Sequence, residues 1–230
     1  MTADNYHLIT KTAPLSIAAM VSGQGRGSNV AALINACAQD DIGCRVGIVI
    51  GTRADSPALE RARSSGVGVA VVSPRKYEDD EPGYGQALLR LLHKHEVGLI
   101  CLAGYMRKLP LSVLSEYRDR VMNIHPALLP FFGGQGMYGE RVHQAVIESG
   151  MKVSGCTVHF VDEEYDTGPI VLQSTVPVLD NDTPATLGQR VLTEEHATYI
   201  RAVKLFADGR LRIEGRRVRM LPSREQGVTA

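Results

Sequence analysis

The 230-residue chain has no excess of charge, because 25 Lys and Arg residues cancel 25 Asp and Glu residues. Without a net field, nothing draws it globally to nucleic acid or to an anionic membrane surface. Its four cysteines, Cys37, Cys44, Cys101 and Cys156, include no C-x-x-C pair. Three lie in or beside apolar stretches. That usage suits buried thiols in a reducing cytoplasm and argues against disulfides or a zinc site. No apolar run reaches the roughly 18–20 residues that span a bilayer. The N-terminal MTADNYHLITKTA is polar and partly acidic, unlike a signal or basic transit peptide. No internal repeat or linker divides the chain. No G-x-S-x-G elbow occurs, and no cysteine sits in a local catalytic signature.

What is present is an ordinary globular composition, 44% hydrophobic and 22% charged, on a length that suits one domain. The expected organisation is a disordered lead-in over 1–13, one domain over 14–221 and a polar tail over 222–230. Apolar, β-branched runs alternate with helical patterns. Strands are expected at 15–21, 45–50, 67–72, 97–102 and 121–124. Helices are expected at 30–38, with Ser28 or Asn29 as cap, and at 56–65, 84–95 and 111–117. This alternation predicts an α/β fold with a doubly wound, mostly parallel, Rossmann-like sheet and helices on both faces. The pattern then changes to a helix at 139–149, two longer strands at 153–161 and 170–178, a long helix at 183–206, and a hairpin turning at Glu214–Gly215. Five arginines lie in and beside that hairpin, which reads as a solvated edge rather than a nucleic-acid site.

In doubly wound sheets, ligands bind beyond the carboxyl ends of the strands. Two notable segments sit at such ends. SGQGRGSN (22–29) follows a strand and opens a helix, so its backbone N–H groups can cradle an anion. It lacks the Lys-Ser/Thr of a P-loop. Ser28 breaks G-x-G-x-x-G, and the second strand ends in Gly-Thr-Arg with no acid for a ribose diol. A phosphate is therefore expected there, and a dinucleotide is not. NIHP (123–126) places an amide and an imidazole two residues apart on one strand face, and Pro126 and Pro130 stiffen the loop that follows. Such a pair can move a proton near neutral pH and steady a developing oxyanion. Between the two late strands, DEEYDTGP carries four carboxylates. Asp162, Glu163 and Glu164 read as a solvated turn. Asp166 precedes Thr-Gly-Pro, a turn that would return its side chain over the sheet, where it would raise and orient a histidine.

Together these segments resemble the family of formyltransferases that use 10-formyltetrahydrofolate, over about Leu15 to Arg212. The resemblance is carried by SGQGRGSN, LAGYMRKL (102–109), NIHPALLP (123–130), GCTVHFVDEEYDTGPIVLQ (155–173) and TEEHATY (193–199). It implies Asn123, His125 and Asp166 as the catalytic trio. Gly27, Ser28 and Asn29 would hold a substrate phosphate and ribose, with Glu195 as a ribose-contacting acid. Met106, Arg107, Lys108 and Leu109 would wall the folate site together with Asn123, Val161, Asp162 and Asp166, and the 162–166 loop would close over the pteridine. Arg75 matches a folate-side arginine. Two segments depart from the family pattern: the glycine loop is longer, and FFGGQGMYGERVH (131–143) replaces a Pro-Gly-containing stretch. His143 in that segment fits either the mouth of the site or a helix surface.

The resemblance implies formyl transfer from 10-formyltetrahydrofolate, as co-substrate, to the amine of 5'-phosphoribosylglycinamide in purine biosynthesis. No metal is implied, and no nucleic-acid or membrane partner. The enzyme is expected in the cytoplasm, as a monomer or homodimer. A charged His125 paired with Asp166 would stabilise the oxyanion beside Asn123. A tRNA-directed formyltransferase would need a further C-terminal domain, and only 64 residues follow Asp166. A formyltetrahydrofolate hydrolase would usually carry an N-terminal regulatory domain. A sugar-nucleotide formyltransferase is weakened by the phosphate-type loop. A non-catalytic nucleotide-binding module is opposed by the Asn-x-His and Asp constellation.

Overall fold

The computed structural model describes residues 13–23, 25–39 and 42–223. Nearly all of the expected lead-in and most of the tail lie outside those residues. The elements run β1 (Leu15–Val21), α1 (Ser28–Cys37), β2 (Cys44–Gly51), α2 (Pro57–Ser64), β3 (Val69–Val71), α3 (Glu81–Lys94), β4 (Leu99–Leu102), α4 (Leu111–Glu116), β5 (Val121–His125), α5 (Glu140–Glu148), β6 (Val153–Phe160), β7 (Ile170–Pro177), α6 (Pro184–Ala207), β8 (Leu211–Glu214) and β9 (Arg217–Met220). No helix among the described residues is long and apolar enough to cross a membrane.

All strands join one sheet in the order β3-β2-β1-β4-β5-β6-β7-β9-β8. β1 shows why its sequence is a continuous apolar run rather than an alternating one. Ala18 and Met20 pack with Leu88 and Leu92 of α3 and Val113 of α4. Ile17 packs on the opposite face with Leu33 of α1 and Tyr199 of α6. A strand covered on both faces has no polar side to show. The parallel part, β3-β2-β1-β4-β5, is as expected. β6 is antiparallel to both β5 and β7. No helix separates β6 from β7, so no crossover is available and the chain must double back.

Local chemistry moves several boundaries. α3 begins at Glu81 rather than at Tyr84, because Asp80 caps it by accepting the Gly83 N–H at 2.8 Å and Pro82 suits the first turn. A single 3₁₀ turn over Pro74–Tyr77 precedes it, in what reads from sequence as loop. α1 is capped by neither Ser28 nor Asn29. Its N-cap is Gly27 at φ 72°, where a Cβ would stand 2.6 Å from Ala58 Cα. Glycine is required there, both by the left-handed backbone and by the approach of α2. The cysteines, scattered in sequence, are less so in space: Cys37 and Cys44 bring their Sγ atoms to 3.0 Å across the α1–β2 connection.

Strand order reverses at β1, which has β2 on one side and β4 on the other. The crevice beyond their carboxyl ends is where open α/β sheets bind ligands. Ser22 N–H donates to Gly104 O at 3.0 Å, and Met106 N–H donates to Ser22 Oγ at 2.8 Å. The glycine loop and the LAGYMRKL loop are thus tied together at that crevice.

Candidate active site

A cavity of about 1090 Å³ opens at the carboxyl ends of β1, β4 and β5. It brings together most of the residues singled out from sequence: Ser28, Asn29, Met106 to Leu109, Asn123, His125, Val161, Asp162, Asp166 and Glu195. Gly27 is not part of its lining. Arg75 lines a separate, smaller cavity of about 460 Å³, which Arg107, Lys108 and Leu109 also border.

At the centre, β5 supplies Asn123 and His125, and β6 lies antiparallel beside it with His159 opposite Asn123 and Thr157 opposite His125. Each β6 partner fixes something. Thr157 Oγ1 donates to Ala127 O at 2.6 Å and accepts the Leu129 N–H at 3.0 Å. Gln173 Nε2 donates to Leu129 O at 3.0 Å. These bonds, together with Pro126 and Pro130, hold the loop after β5. His159 Nδ1–H donates to Phe160 O at 2.8 Å. That leaves Nε2 as an acceptor, which receives an N–H from Asn123 Nδ2 at 3.1 Å. The second hydrogen of that amide faces Asp166 Oδ1 at 3.5 Å and is weakly held.

Asp166 does fold back over the sheet as expected. Its backbone is left-handed, at φ 58°. Its Oδ2 lies 3.5 Å from His125 Nδ1, and its Oδ1 lies 3.5 Å from His159 Nε2. The FFGGQG segment closes the arrangement. His125 Nε2–H donates to Phe132 O at 2.8 Å, and Gly134 N–H donates to Asp166 Oδ2 at 2.8 Å. The Phe132 side chain packs against the main core, which anchors both contacts.

Burial pushes the His125 pKa down and outweighs the opposing pull of Asp166 and the Phe132 carbonyl. This corrects the expected balance. The carboxylate acts in the foreseen direction, but an imidazole only 3% exposed loses more to desolvation than it regains. His125 therefore rests neutral near pH 7, with its proton on Nε2 and a lone pair on Nδ1. Burial pushes Asp166 up, but in the acid range where a carboxylate titrates, positive charge on the neighbouring imidazoles and the Gly134 N–H prevail and hold it below the usual carboxylate range.

Elsewhere in the lining, Asn29 Nδ2 donates to Glu195 Oε2 at 2.8 Å, joining α1 to α6. Glu195 is buried, and burial raises its pKa against that hydrogen bond. The folate-side loop is also tied down: Lys108 Nζ donates to Glu164 Oε2 at 2.8 Å and lies 5.5 Å from the Tyr165 ring centroid. His143 faces the cavity and is buried, which settles its two sequence readings in favour of the site. Sequence reasoning missed His159 and the two backbone contacts from 132 and 134. The only local signal for His159 was a histidine inside the apolar strand TVHFV.

Residues 15–203 match the formyl transferase family model. The chain is 42% identical over 188 residues to the chloroplastic phosphoribosylglycinamide formyltransferase of Arabidopsis thaliana, covering 82% of this chain and 64% of that one. It is 36% identical over 199 residues to the phosphoribosylglycinamide formyltransferase of Escherichia coli (strain K12), covering 86% and 90%. The crystal structure of glycinamide ribonucleotide transformylase 1 from Symbiobacterium toebii superposes with a TM-score of 0.85 at 42% identity, over 96% of this chain and 100% of that one. The chain spans less than two thirds of the plant relative and only 14% to 20% of the trifunctional animal relatives. The family match covers most of the chain and includes every segment that builds the cavity, so the chain belongs to the formyl transferase family.

Proposed function

We propose that this protein transfers the formyl group of 10-formyltetrahydrofolate to the primary amine of 5'-phosphoribosylglycinamide, a step of purine biosynthesis. One observation carries the reading. Asn123, His125 and Asp166 converge in a cavity whose lining also includes Ser28, Asn29 and Glu195 from α1 and α6 and Met106 to Leu109 from the segment after β4. A phosphoribosyl group suits the first set and a folate the second. The reacting carbon then falls between them.

The formyl donor supplies an electrophilic carbon and an amine leaving group. Asn123 turns its weakly held N–H toward the oxygen that gains charge when the substrate amine adds. Donors preorganised in this way contribute about 100–1,000-fold in rate. His125 enters neutral and takes the amine's proton on Nδ1. Asp166, 3.5 Å from that nitrogen, then steadies the imidazolium and holds it in place until the proton passes to the leaving nitrogen. The net change is one N–C bond formed and one broken, with one proton relocated. This chemistry asks for no metal. The reading extends to 14–221 as the formyltransferase domain and to a cytoplasmic setting, which suits the free cysteines.

The test is release of deformylated folate from purified protein supplied with 10-formyltetrahydrofolate, with and without the ribonucleotide. Release that needs the ribonucleotide, and collapses in His125→Ala and Asp166→Asn, supports the reading. Release without it indicates hydrolysis instead. No release in either case overturns the reading.

A further inference from the structure

Resting on that reading, we propose that His143 is a specificity-determining residue that donates a hydrogen bond from Nε2 to the amide carbonyl oxygen of the substrate's glycinamide arm. His143 stands on α5, in the segment that departs from the family pattern, and it is buried at 6% exposure. Its Nδ1 is fully enclosed and has no hydrogen-bond partner. An enclosed N–H without an acceptor is the rarer and costlier arrangement. The proton therefore belongs on Nε2, which is not among the enclosed, unpartnered atoms of this cavity-lining residue. Burial also lowers the His143 pKa, so the ring is a neutral donor rather than a cation.

Its seat is specific. The imidazole lies against Gly188 of α6, where a Cβ would stand 2.9 Å from its Cδ2 and 3.1 Å from its Nε2. A glycine inside a long helix is destabilising relative to alanine. The close approach of His143 gives that glycine a reason. Gly188 and Glu195 both face the cavity from α6, two helical turns apart, or about 10 Å along the axis. His143 therefore stands on the α6 side of the cavity with Glu195 but away from it, and within electrostatic reach of His125, the group assigned to the reacting amine. The acceptor nearest the amine on that substrate is the glycinamide carbonyl. Met106 to Leu109, assigned to the folate, come from the segment after β4 rather than from α5 or α6.

The test compares His143→Phe, which removes the donor, with His143→Gln, whose amide N–H falls near the Nε2 position. The KM of each substrate is measured separately, and ribonucleotide binding is followed by calorimetry. The phenylalanine variant is expected to raise the ribonucleotide KM about tenfold, the worth of one hydrogen bond, with the formyl folate KM within about twofold. The glutamine variant is expected to recover most of the loss. Should the phenylalanine variant not fold, His143→Asn replaces it, because its amide reaches only the Nδ1 position. Gly188→Ala is expected to weaken ribonucleotide binding without lowering the melting temperature. An unchanged ribonucleotide KM in a folded phenylalanine variant, an equal rise in both KM values, or a glutamine variant as impaired as phenylalanine overturns the inference alone. A wild-type protein that does not bind the ribonucleotide overturns it together with the proposed function.

Discussion

Gly134 donates its backbone N–H to Asp166 Oδ2 at 2.8 Å, which makes the 131–136 segment part of the candidate site rather than a cover over it. Gly133, beside it, has no space to spare. A Cβ there would stand 2.6 Å from Leu129 Cδ2 and 3.1 Å from Asp166 Cβ. Gly133→Ala must therefore turn the Leu129 side chain aside and shift Asp166, or the segment that holds it, by a few tenths of an ångström. Misplacement of about 1 Å can cost on the order of 100-fold in rate. The expected outcome is a kcat reduced about 10- to 100-fold, with both KM values changed far less. Steady-state kinetics check it, and a wild-type kcat would mean that Asp166 tolerates the displacement.

Asn123 and His159 separate a donor from its positioner. Asn123→Ala removes the N–H aimed at the developing oxyanion and is expected to cost about 100–1,000-fold in kcat. His159→Ala leaves that amide in place but removes the acceptor that orients it. About tenfold is expected, since an amide free to rotate still samples the productive pose. Single-turnover rates distinguish the two. A His159 loss as large as the Asn123 loss would mean that the imidazole acts on the substrate directly.

Asn123, His125 and Asp166 were legible in sequence because each is announced locally, by the Asn-x-His-Pro strand end and by the turn after Asp166. The parallel half of the sheet was legible for the same reason: each strand is followed by its own helix. His159 was not legible, because its place opposite Asn123 depends on the antiparallel register of β5 and β6, which no local spacing encodes. Phe132 and Gly134 act through backbone atoms, so their side-chain identities say nothing of the contacts they make. The neutrality of His125 was hidden as well. A nearby carboxylate can be guessed from sequence, but the burial that outweighs it is a property of the assembled core.

Stability is expected to fall as pH drops below the ordinary imidazole range. Burial depresses the folded pKa values of His125, His143 and His196. Below the unfolded value of about 6.5, the unfolded chain takes up protons that these rings refuse while folded, and the equilibrium shifts toward unfolding. Asp166 adds the same sign at lower pH, because its folded pKa is also depressed. Glu195 runs the other way, since its folded pKa is raised, but it is one group against these four. Thermal melts in matched ionic strength should show a lower Tm at pH 5.5 than at pH 7.5. An unchanged or higher Tm would contradict the neutral resting state assigned to His125.

Glu195 is placed where binding and stability conflict. Its carboxylate is buried with Asn29 as its hydrogen-bond donor, and burial raises its pKa. A raised pKa means that its contribution to stability is present at low pH and is lost as pH rises through the folded value. At pH 7.5 the charge is therefore a burden on the free protein, tolerated for what it binds. Glu195→Gln keeps the acceptor for the Asn29 amide and removes the charge. The expected result is a Tm at pH 7.5 equal to or a few degrees above wild type, with the difference shrinking at pH 5. The ribonucleotide KM is expected to rise at least tenfold, because a charged acceptor makes hydrogen bonds about twice as strong as a neutral one, and the formyl folate KM should hold. Differential scanning calorimetry at both pH values, run beside the kinetics, decides the matter. A Tm that falls by several degrees at pH 7.5 would show that the Asn29 contact outweighs desolvation, and would place Glu195 among the residues that hold α1 to α6 rather than among those strained for binding.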